Sequence, residues 1–152
     1  MKSAAIVGGV SAIMTGIAIG VQSFLSGRSE NMIGSLKTGL WTNFLGGVLA
    51  GGLILVLFYV FGVDTKQVSR QAYTIMLVSG ALGITIIMGV SFSIARAGVT
   101  AGLAATMLGQ FAFGLVADTI GLGGVEPIPL DYRRVIGLVI MAASIFLLLP
   151  RE

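Results

Sequence analysis

Three side-chain carboxamides stand where the surrounding sequence is apolar: Gln22, Asn43 and Gln110. In GVTAGLAATMLGQFAFGLVAD, Gly98 to Asp118, small and apolar residues flank Gln110 on both sides, and the first charge is Asp118. An amide offers two donors and a carbonyl acceptor, more than its own helix can satisfy. Left unpaired in an apolar medium it costs roughly 2–7 kcal/mol. The chemistry available at these positions is therefore hydrogen-bonded recognition, either of a neighbouring helix or of a bound solute. Proton transfer and nucleophilic attack are poorly supplied. The chain has no histidine and no cysteine, and its acids and bases fall near the ends of apolar runs. No acid–base pair, metal-ligand set or activated nucleophile is evident, so an enzyme is not expected, nor a metal or other cofactor.

The elements that carry these amides follow from composition. Of 152 residues, 56% are hydrophobic and 10% charged, and the mean hydropathy is +1.03. A soluble domain carries about 25% charged residues to cover its surface. Apolar runs of about 18 or more residues read as membrane spans. Five runs are candidates: 4–25, 38–61, 73–95, 98–117 and 135–149, the last short and able to begin at Tyr132. They leave no room for a soluble domain, so residues 1–152 read as a single all-α transmembrane domain. No alternation of polarity supports barrel strands. The initial run is too long for a signal peptide and lacks a clean cleavage site.

Connections are short. Residues 26–37 read as a polar loop, 62–72 as a second, and Arg96-Ala97 as a tight hairpin. Residues 118–134 form the longest connection, broken by Pro127 and Pro129. Trp41, Tyr59, Tyr73 and Tyr132 lie near span ends, where amphipathic rings favour the headgroup layer. Small residues recur at helical spacing at Gly16/Gly20, Gly47/Gly51, Ser79/Gly83 and Gly98/Gly102, as helix-packing faces do in lipid.

Five spans put the termini on opposite sides. Lys2, Lys66, Arg70, Arg133 and Arg134 then share one side, and Arg28, Lys37, Arg96 and Arg151 the other. Orientation normally follows an excess of Lys and Arg in cytoplasmic loops, and five against four is almost no excess. The expectation is insertion in both orientations, with pairing of inverted copies into an antiparallel homodimer of ten helices. The net charge of +3 is scattered over span ends, so nucleic acid is not an expected partner. At about 1.5 Å per residue, Gln22 and Asn43 would lie about 5–8 Å inside the face bearing Arg28, and Gln110 about 18 Å inside it. An inverted partner would bring its own Gln22 and Asn43 to about 22–25 Å in a core of roughly 30 Å. Amides of both subunits would thus meet near the midplane.

Several stretches resemble the YdcZ-type proteins of the drug/metabolite transporter superfamily, which are bacterial inner-membrane proteins. They are GIAIGVQSFLSGR, TNFLGGVLAGG, MLGQFAFGLVADTIGLGG and the closing RRVIGLVIMAASIFLLLPR, so the resemblance covers nearly the whole chain. The glutamine followed by a late acid and GLGG is the most distinctive piece. The resemblance implies five helices per subunit, antiparallel pairing and efflux of small molecules. The distantly similar small multidrug resistance proteins use a membrane-embedded glutamate in the first helix, where this chain has Gln22 and no acid. A neutral amide cannot exchange a proton for a cation, so proton/cation antiport by that route is not expected, and Arg28 and Arg96 at the span ends favour a neutral or anionic solute.

The resulting expectation is an exporter working by alternating access at the dimer interface. Gln22, Asn43 and Gln110 would bind solute, Trp41, Phe44 and Phe111 would supply apolar walls, and Arg28 and Arg96 would stand near the mouths. Asp118 reads as a helix-end residue at the interface. A passive channel for a small polar solute, or a non-transporting membrane assembly subunit, are the alternative readings.

Overall fold

The structure, a computed structural model, describes residues 2–62, 68–122, 124 and 126–149. Lys66 and Arg151, both counted above for orientation, lie outside the described residues. The chain is helical throughout: α1 (Lys2–Ile33), α2 (Ser35–Phe61), α3 (Arg70–Ala97), α4 (Val99–Ile120) and α5 (Tyr132–Leu148). The first four are long and apolar enough to cross a membrane. With 17 residues, α5 rises about 26 Å, a little short of a hydrocarbon core of roughly 30 Å.

One element departs from the sequence expectation. The polar stretch from Ser26 is not a loop but the last turns of α1, which runs 32 residues without interruption. Nothing in SGRSENMI forces a break, since Pro is absent and its one glycine only lowers propensity. Helix continues until Gly34, whose φ of 81° and ψ of 161° end α1 and start α2 within a single residue. Gly98 repeats the device between α3 and α4 with φ 81° and ψ 165°. This region of backbone space is essentially restricted to glycine. Both turns close with the same bonds. Gly34 N–H donates to Glu30 O at 2.8 Å and Thr38 N–H to Gly34 O at 3.0 Å; Gly98 N–H donates to Ile94 O and Gly102 N–H to Gly98 O, both at 3.0 Å.

By contacts the chain forms two compact units, Phe24–Phe92 and Met1–Ser23 with Ser93–Glu152. In the Phe24–Phe92 unit the buried side chains are small or hydroxylic: Ser26, Thr38 and Ser91, with Val90 beside them. Thr38 Oγ1 donates to Ser29 Oγ at 3.1 Å, tying α2 to α1. Gly39 lets α2 approach α3 so closely that an added Cβ would fall on Met88 Cγ and 2.9 Å from the Ile84 carbonyl oxygen. In the second unit Ser23, Ile94 and Ala101 are buried. A Cβ on Gly102 would stand 3.1 Å from Ile94 N. There α4 packs along α5. Close approach at small residues, rather than burial of large ones, is how helices associate in lipid. Large side chains point outward instead, among them Leu49, Phe146 and Leu147, each at least 75% exposed.

Of the four small-residue pairs, Gly83 and Gly102 are used within the chain, Gly83 holding Asn43 Oδ1 2.8 Å from where its Cβ would be. Gly16, Gly20, Gly47 and Gly51 meet no atom within 4 Å of that position among the described residues.

Candidate functional site

The hydroxyls largely satisfy themselves, as their chemistry allows. Ser91 Oγ donates to Met88 O, Thr106 Oγ1 to Gly102 O and Thr119 Oγ1 to Leu115 O, each within its own helix. The amides divide. Asn43 Nδ2 donates to Gly39 O at 2.9 Å and its Oδ1 lies against Gly83 of α3, so this side chain is held at a helix contact. Gln22 and Gln110 are exposed, and no hydrogen bond engages either among the described residues.

The one-residue turns set how far each amide stands from a hairpin. Gln22 stands 12 residues before Gly34, and Gln110 stands 12 residues after Gly98. Each is therefore about 18 Å along its helix from a hairpin turn. Asn43 is 9 residues past Gly34, about 14 Å.

The three aromatic residues separate into two places. Trp41 and Phe44, three residues apart on α2, meet edge to face with ring centroids 5.7 Å apart and planes at 83°. With Leu40 they line a hollow of about 410 Å³. Phe111 belongs to a different cavity, between α4 and α5, of about 440 Å³. Gly114, Leu115, Gly137, Leu138 and Met141 complete its apolar walls, and Asp118 and Arg134 supply its charge. Arg134 Nη1 is 3.3 Å from Asp118 Oδ2, with the two side chains 37% and 46% exposed. Gln110 is not on this lining. It precedes Phe111 by one residue, a rotation of about 100° around α4.

The backbone around the pair is tied down. Gly121, in the left-handed conformation, caps α4. The loop folds back so that Ile128 N–H donates to Asp118 O at 2.9 Å. Asp131 caps α5 by accepting from Arg133 N–H at 3.3 Å. Next to it, the Arg133 guanidinium lies 5.8 Å from the Tyr132 ring centroid, the kind of basic and aromatic pairing that suits a membrane interface. Arg28 is exposed on α1, and Arg96 is the basic residue of the last turn of α3. Among the described residues no group of three acidic, histidine or cysteine side chains gathers where a metal ion could be held.

Sequence reasoning missed the Asp118–Arg134 pair and the cavity it lines. The signal was faint: an acid ending one span, an arginine opening the next, and two prolines between them. It missed the turn glycines as well, because Gly34 and Gly98 look like any of 23 glycines until their backbone angles are known.

Residues 7–147 match the family model described as "Putative inner membrane exporter, YdcZ". No curated protein matches the chain, and no solved structure does.

Proposed function

The chain belongs to the YdcZ family of inner-membrane exporters, a multi-pass membrane protein, and from that premise we propose that it carries a small solute by alternating access in an antiparallel homodimer. The observation that carries the reading is the pair of unpartnered amides. Gln22 and Gln110 are exposed, lack hydrogen bonds among the described residues, and stand equally far from their turns. In hydrocarbon such groups must be met, and lipid tails cannot meet them. An inverted copy and a solute between the copies can. The open glycine faces, Gly16/Gly20 on α1 and Gly47/Gly51 on α2, fit close approach by a second copy.

In this arrangement Gln22 and Gln110 are the solute ligands. Asn43 is held at the α2–α3 contact by Gly39 O and Gly83 and serves to position α2, while Trp41 and Phe44 supply apolar walls. Arg28 and Arg96 stand toward the mouths and favour a neutral or anionic solute over a cation. Inverted repeats with a site near the midplane are the usual construction of secondary carriers.

The test is flux in proteoliposomes, using the metabolite that overexpressing cells release to the medium. Flux that saturates with concentration and shows counterflow supports a carrier. Flux that rises linearly without counterflow contradicts it and describes a passive pore.

A further inference from the structure

The cavity between α4 and α5 has a polarity that the carrier reading leaves unused. Its walls, Phe111, Gly114, Leu115, Leu138 and Met141, are apolar, and its charge is confined to Asp118 and Arg134. Along α4, Phe111 to Asp118 spans seven residues, as does Arg134 to Met141 along α5, about 10 Å in each case. The volume of about 440 Å³ falls in the usual range for small-molecule sites, roughly 300–1,000 Å³.

From this geometry we propose that the α4–α5 cavity binds a zwitterion with an apolar body, its ammonium on Asp118 and its anionic group on Arg134. The charges at the head of the cavity sum to zero but form a dipole held by two capped helix ends. A ligand of one charge sign would match one member of the pair and be repelled by the other, 3.3 Å away. A zwitterion adds two pairings to the single 3.3 Å contact and leaves no charge unmatched. Arg134 has five N–H donors and can keep one on Asp118 while the others take a carboxylate or phosphate. The apolar body lies toward Phe111 and Met141.

Two sources present this chemistry. One is a free apolar amino acid, and the other is the ammonium-and-phosphate headgroup of phosphatidylethanolamine. As a solute class the first deepens the exporter reading and rests on it. Binding itself does not.

The experiment uses the full chain in nanodiscs of phosphatidylglycerol, which carries no ammonium. Calorimetry compares leucine with leucinamide, which lacks the anion, N-acetyl-leucine, which lacks the cation, and glycine, which lacks the apolar body. The expected result is leucine at least tenfold tighter than each of the other three. Asp118→Asn and Arg134→Gln should each weaken it at least tenfold, and the exchange of both charges, Asp118→Arg with Arg134→Asp, should restore most of the loss. In nanodiscs containing phosphatidylethanolamine, unchanged leucine binding identifies the free solute. Suppressed leucine binding, with this lipid retained through purification by the wild type and lost from Arg134→Gln, identifies the headgroup. Equal binding of leucine, leucinamide and N-acetyl-leucine overturns the proposal. So does the absence of leucine binding together with equal lipid retention by wild type and variant. If leucine binds with this pattern but shows no counterflow in proteoliposomes, the exporter reading fails for this solute and the site stands. If leucine counterflow is untouched by either single substitution, the site fails and the exporter reading stands.

Discussion

Gln110 concentrates the question at the scale of single residues. Its amide is exposed on a span with no hydrogen-bond partner among the described residues, and the proposed function meets it with an inverted copy and a solute. Replacing it with leucine keeps the volume and removes the hydrogen bonds. Gln110→Leu is expected to reduce transport at least tenfold while cross-linked dimer yield stays within a factor of two; normal flux in this variant would remove Gln110 from the site. The amides were legible in the sequence because a polar side chain in an apolar run needs an explanation whatever the fold. Their distances from the nearest turn were not, since the turn lay at Gly34 rather than in a loop from Ser26. Nor was the difference between Asn43 and the glutamines, which rests on Gly39 O and Gly83 being at hand. The pairing of Asp118 with Arg134 depends on a 16-residue separation closed by a folded-back loop, and no local pattern encodes that.

At the scale of elements, helix type and number followed from hydropathy, and boundaries shifted by two or three residues at most ends. The exception was α1, which gained eight residues at its C-terminal end, because a mixed polar stretch reads as loop unless a neighbour engages it, as Thr38 engages Ser29. The two hairpins stand or fall on one residue each. Gly34→Ala and Gly98→Ala must place a Cβ at φ 81°, a strain of about 1–3 kcal/mol. Each is expected to lower the thermal midpoint in detergent, and a midpoint equal to wild type would show that the turns have other conformations available. Glycines inside helices separate by what they touch. Gly39→Ala drives a methyl onto Met88 and the Ile84 carbonyl, with an expected destabilisation of about 1–3 kcal/mol from overpacking. Gly16→Ala meets nothing within the described chain and gains helix propensity, so the subunit should keep its stability. Parallel losses in both variants, read by thermal unfolding, would contradict this division.

Among the described residues of the whole molecule, many large apolar side chains are exposed and two amides have no hydrogen-bond partner. Five Lys and Arg residues against four give the insertion machinery little to read. That count comes from the sequence and assumes five crossings. What it implies about assembly depends on α5, whose 17 residues must complete the fifth crossing to put the termini on opposite sides. The most direct measurement is therefore orientation in intact cells. The chain has no cysteine, so Ile128→Cys, in the α4–α5 loop, introduces a single thiol and leaves the Lys and Arg count unchanged. Labelling with a membrane-impermeant maleimide before and after permeabilisation gives the fraction facing outward. The inverted dimer predicts about half. Labelling of all or none of the protein would mean one orientation and contradict the inverted dimer, leaving the amides to pair between helices of like-oriented chains.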